Sequence, residues 1–319
     1  MSAFDKDKVT ELLTEYINDA VADYLSVGDA QSCSEKLERL LTRGVLNEQS
    51  ECDKERAQST YWLHPLHHLS LNAYTTLAST YKTRANDMLA NVSEMNGNLR
   101  DAFDMSRISA AYSLLLAGAT NHLFRHEPSL MVSAANFWAS AGESLVAFSR
   151  NQAWSEFMPV SNISSKTKYQ ICPKCPLHNI SGTNPCYGQV NRYADFENVS
   201  RQFLDCMTCY AQNVWRPLVR SCHPLRTFTD PIDFSGLETS KYSSILNESC
   251  SHSRINNAIS NSGNEKNISR CELQGCTNLE RVHLYQLGVH CLLYGGYLAS
   301  ISLGEHCYLT RHVNSILDG

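Results

Sequence analysis

Two C-x-x-C pairs, Cys172-Pro173-Lys174-Cys175 and Cys206-Met207-Thr208-Cys209, are the residues of this chain best spaced for chemistry. Four thiolates so arranged clamp a structural zinc ion as a tetrahedron. The gap between the pairs is longer than a usual zinc ribbon allows. The second pair also falls in a stretch of helical periodicity, where Cys206 flanks a buried stripe and serves equally well as a small apolar core residue. The first pair, with His178 and Cys186 close by, is the better metal candidate. The plainer reading, ordinary reduced thiols, takes precedence, because C-x-x-C pairs recur by chance in a chain with 13 cysteines. A redox role is weaker still, since no alternation of strand and helix surrounds either pair.

His64-Pro65-Leu66-His67-His68 invites a metal or acid–base reading. No acidic ligand is spaced to complete a site, and the cluster opens a predicted helix, where imidazole caps or packs. Trp138, Trp154 and Trp215 read as core and groove aromatics rather than as a cofactor box. No glycine-rich phosphate loop, nucleophile elbow or metalloprotease helix is present in the sequence. The residues therefore point to no catalytic and no cofactor-binding position.

With 319 residues the chain is long enough to bury a core without staples. Its 32 acidic against 27 basic side chains leave no basic stripe to track phosphates, so direct nucleic-acid binding is not expected. The N-terminus runs into an acidic amphipathic helix with no basic-then-apolar leader, and no apolar run approaches membrane-spanning length. An intracellular protein, nuclear or cytoplasmic and without a membrane partner, is expected. Its odd number of cysteines, spread along a long chain, fits reduced thiols or metal ligands. The triplets Asn162-Ile163-Ser164 and Asn198-Val199-Ser200 match the glycan sequon, here by chance.

The elements that would position these residues are helical. Val9, Leu12, Leu13, Tyr16, Ile17, Ala20, Val21, Tyr24 and Leu25 keep i, i+3, i+4, i+7 spacing up to Gly28. Asp29 is a suitable N-cap for a second helix that stops near Gly44. Leu66, Leu69, Ala73, Leu77 and Tyr81 form a third stripe, with Pro65 in its first turn. The next helix, Leu99 to Phe124, is apolar nearly all round at its centre and belongs in the middle of the bundle. Pro128 opens a fifth, ending near Arg150.

Ser109-Ala110-Ala111 through Phe124 is echoed by Ser133-Ala134-Ala135 through Phe148, with Ala117-Gly118 answered by Ala141-Gly142. Self-similarity at helix length is the mark of stacked helical hairpins, which present a surface to another polypeptide. The predicted fold is all-α: stacked antiparallel helical hairpins in a TPR-like array, with an irregular Cys-bearing insert and a disordered linker. The boundaries are a helical array over 1–155, the insert over 156–190, and a helix packed on the array over 191–225. A linker of Ser, Asn and Gly follows over 226–278, and a C-terminal hairpin over 279–319 caps the stack.

Certain runs are more specific. Leu63 through Ala78, then Ala102-Phe103-Asp104-Met105-Ser106-Arg107 with Ala110 through Ala119, resembles the region downstream of the SET domain in plant SMYD-like SET-domain proteins. Cys291 through Ser300 is similar to the end of that region. The resemblance implies protein lysine methyltransferases in which a SET lobe binds S-adenosylmethionine and a TPR-like lobe walls the substrate groove. A SET domain needs an Asn-His-Ser-Cys type strand end. The nearest match here, Asn247-Glu248-Ser249-Cys250, departs at the histidine, so no catalytic or cofactor residue carries over. A truncated product, or a paralogue without the catalytic half, follows as the expectation.

The leading expectation is thus a non-catalytic helical scaffold whose partner is protein, either a SET lobe or a substrate protein. The alternative is a zinc-supported interaction adaptor. A third class, an enzyme with an unrecognised site, would show convergent polar residues in a deep pocket. Tyr16, Tyr24, Tyr74 and Tyr81 are the candidates for an apolar docking face, against the reading that they complete the core between helices.

Overall fold

The computed structural model describes residues 3–46, 60–90, 97–154, 196–234, 237 and 272–318. Their fold is all-α. The helices are α1 (Ala3–Val27), α2 (Ala30–Arg43), α3 (His68–Ala90), α4 (Gly97–Phe124), α5 (Met131–Arg150), α6 (Phe196–Leu218), α7 (Glu272–Leu303) and α8 (Tyr308–Asp318). The only strand pairing among the described residues is a two-residue antiparallel ladder, β1 (Val45–Leu46) with β2 (Thr60–Tyr61), Val45 opposite Tyr61.

Local chemistry sets most of the boundaries. The α1 stripe buries Leu13, Ile17 and Ala20, and the helix stops at Gly28, whose φ of 78° is a conformation that glycine adopts without strain. The Asp29 side chain then accepts the Ser32 backbone N–H at 2.9 Å and caps α2. Pro128 sits in a short 3-10 turn (Pro128–Leu130) ahead of α5 rather than inside it.

Side-chain contacts join neighbouring helices and set the direction of two pairs. Tyr74 and Tyr81 of α3 both stack against Tyr112 of α4, and Ser109 Oγ donates to the Ala78 carbonyl. Ser113 lies by Ser144 while Asn121 meets Trp138, so α4 and α5 run in opposite directions. Phe203 packs on Tyr294 and Tyr210 on His290, which sets α6 antiparallel to α7. The short connection from Phe124 to Met131 favours this arrangement for α4 and α5.

The centre of the molecule holds two helices. Residues 107–121 of α4 are buried on every face, as the sequence predicts. Residues 286–300 of α7 are buried likewise, so α7 is an inner helix packed on α5 and α6, not a cap on the stack. Its position follows from glycine. A Cβ on Gly295 would lie 2.7 Å from Ala139 N, and one on Gly288 2.9 Å from Val146 Cγ2, so bare backbone lets α7 sit directly on α5. The echoed glycines of α4 and α5 do different work. Gly142 meets α7, whereas Gly118 meets the backbone of Pro231 and Ile232.

That second contact belongs to residues assigned by composition to a linker. Residues 226 and 227 close a short 3-10 turn (Pro224–Thr227), and residues 228–234 then pack onto the core, with Ile232 and Phe234 buried and the Trp215 indole N–H donating to Phe228 O at 2.8 Å. Residues 235, 236 and 238–271 of the expected linker lie outside the described residues, while its last stretch, 272–278, is not linker but the helical start of α7, which therefore begins before the expected boundary at 279. The insert expected over 156–190 also lies outside the described residues. No helix among the described residues is long and apolar enough to cross a membrane.

Candidate functional site

Cys172, Cys175, His178 and Cys186 lie outside the described residues, as does Asn247 through Cys250. The second C-x-x-C pair sits on α6 with its members in different surroundings: Cys206 is packed in the core and Cys209 is exposed. Among the described residues no group of three or more His, Cys, Asp or Glu side chains is placed to hold a metal ion.

The histidine cluster does helix-starting work. His67 is the N-cap of α3: its carbonyl accepts from Ser70 and Leu71 N–H, and its Nδ1 accepts from Leu69 N–H at 3.3 Å. One turn earlier His64 Nδ1 accepts from Leu66 N–H at 3.2 Å, while its carbonyl accepts from His67 N–H and from Ser70 Oγ. An Nδ1 that accepts carries no proton, so both rings are neutral with the hydrogen on Nε2. Burial lowers the affinity of His64 for a second proton. The same holds for His67, with a further contribution from His68 and His64. In these bonds both rings act as caps at the start of α3.

Polar side chains do converge elsewhere. Glu38 of α2 is half-buried, and its Oε1 accepts from Tyr81 Oη of α3 at 2.8 Å and from Tyr112 Oη of α4 at 3.1 Å. The Cys222 thiol, just past α6, reaches the same oxygen at 3.5 Å and Tyr112 Oη at 3.4 Å. Burial, helped by the Glu38 carboxylate, raises the proton affinity of Tyr81 far above the usual phenol range, and burial does the same for Tyr112. The Cys222 thiol is pushed up to about 12, chiefly by burial. All three stay protonated at neutral pH. They are donors to one carboxylate, not nucleophiles.

Two further nodes share this character. Arg107 of α4 is buried and donates from Nη1 to Pro217 O at 3.0 Å and from Nη2 to Asp104 and Ser221 at 2.8 and 2.6 Å. Burial lowers its proton affinity, opposed by Asp104. With Cys222 held by Glu38 and Tyr112, residues 217–222 are thereby fastened to the N-terminal helices at both ends. In the third node Asn121 Oδ1 of α4 accepts from the Trp138 indole N–H of α5 at 3.1 Å and from Tyr294 Oη of α7 at 3.2 Å. Each node pairs polar groups that would be costly to bury alone, although Arg107 Nε is buried with no hydrogen-bond partner among the described residues.

Sequence reasoning passed over these residues. Asn121 stands one turn after Ala117 on the apolar run of α4, and Glu38 adjoins Leu37 and lies one turn after Ser34 on α2. A polar residue on the buried stripe was the available signal. The four tyrosines proposed for docking are likewise engaged within the fold. Tyr74 and Tyr81 are buried, Tyr24 Oη hydrogen-bonds with Thr83 Oγ1 at 2.9 Å, and Tyr16 Oη donates to Lys36 O at 3.3 Å. They complete the packing of α1, α2, α3 and α4.

Comparison with known proteins adds kinship to this geometry. The chain is 31% identical over 306 residues, 96% of its length, to Protein SET DOMAIN GROUP 41 of Arabidopsis thaliana. That alignment covers 44% of the Arabidopsis protein, so the chain spans less than half the length of this relative. No family model matches the chain, and no solved structure matches it.

Proposed function

We propose that this chain, a relative of a plant SET-domain protein, is a non-catalytic helical scaffold of the kind that accompanies a SET lobe in a protein lysine methyltransferase. In this reading it forms a wall for a protein substrate or a seat for a protein partner, and S-adenosylmethionine is bound only by a SET-containing relative. The observation that carries the reading is the likeness to a SET domain group protein along 96% of the chain. The geometry is compatible with it: the converging polar groups tie α2, α3, α4, α5 and α7 to one another, and the tyrosines and thiol among them are held in their protonated, unreactive form.

The test uses the purified chain and the SET segment of its Arabidopsis relative. The scaffold reading expects no saturable calorimetric binding of S-adenosylmethionine to the chain alone, and a one-to-one complex when the SET segment is added in trans. Saturable cofactor binding at micromolar concentration would overturn the non-catalytic half of the proposal. Light scattering that shows an unchanged monomer after addition of the segment would overturn the other half and leave a free-standing adaptor.

A further inference from the structure

We draw no further inference here: the strongest candidate, the open cleft of about 300 Å³ between the α1–α2 turn and the C-terminal half of α3, lined by Gly28, Asp29, Arg84 and Met88 among others, carries none because nothing in the structure shows what covers it.

Discussion

A Cβ built on Gly142 of α5 would lie 2.6 Å from the carbonyl oxygen of Gly288 of α7, so these two glycines meet backbone to backbone. No real side chain tolerates that distance, and the atom it would strike is main chain that cannot rotate away. The pairing explains why α7 is central although it comes late in the sequence. Close helix approach brings many apolar neighbours within dispersion distance, and among the described residues α5 and α7 form the most extensive helix pair.

Gly142→Ala is therefore expected to destabilise the protein despite the higher helix propensity of alanine, by roughly 1–3 kcal/mol, the usual cost of overpacking a filled core. Urea unfolding followed by circular dichroism measures it. Gly28→Ala offers a contrast, since nothing lies within 4 Å of its Cβ position and the cost there comes from its φ of 78°. An unchanged midpoint for Gly142→Ala would contradict the close approach.

The Glu38 node predicts coupling between residues distant in sequence. Glu38→Ala leaves the Tyr81 and Tyr112 hydroxyls without their carboxylate, and about 1–3 kcal/mol of stability should go with it. In a double-mutant cycle, Tyr112→Phe should cost clearly less in the Glu38→Ala background than in the wild type. Additive effects would mean that the hydrogen bond at 3.1 Å contributes nothing.

The two capping histidines make stability depend on pH in a definite direction. His64 and His67 are harder to protonate in the folded chain than in the unfolded one, so the unfolded state binds more protons as pH falls. Their contribution is complete above the unfolded value of about 6.5 and is lost as pH drops below it. His283 and His290 are lowered by burial and act in the same sense. His67→Asn keeps an N-cap acceptor without a titrating ring, so its melting temperature should fall less between pH 7.5 and 5.5 than that of the wild type.

Zinc, if the chain binds it, is expected at the first C-x-x-C pair. Metal analysis should show zinc lost from Cys172→Ser with Cys175→Ser and retained by Cys209→Ser, with the reverse pattern excluding this placement. Cys206→Ser is expected to lower stability by about 1–2 kcal/mol with or without metal, because it puts a hydroxyl into the apolar surroundings of α6.

The helices themselves were legible in the sequence because their causes are local. The stripe from Val9 to Leu25, Gly28, the Asp29 cap and the apolar centre of α4 each act within a few residues, and each is found where the spacing puts it except the last member of the stripe, Leu25, which is exposed. The histidine cluster at the start of α3 and the core position of Cys206 were legible for the same reason.

Tertiary packing decided the rest. Gly118 and Gly142 occupy equivalent places in an echoed sequence, yet one meets Pro231 and the other Gly288, because the echo states only that small residues are needed, not what approaches them. Polar composition from residue 226 onward suggested a linker, and it took the groove beside Gly118 to bury Ile232 and Phe234. Glu38 finds Tyr81, Tyr112 and Cys222 at separations of 43, 74 and 184 residues. Periodicity reports which face of a helix avoids water, but the choice of partner for that face rests on shape and hydrogen-bond matching between segments, which no local pattern contains.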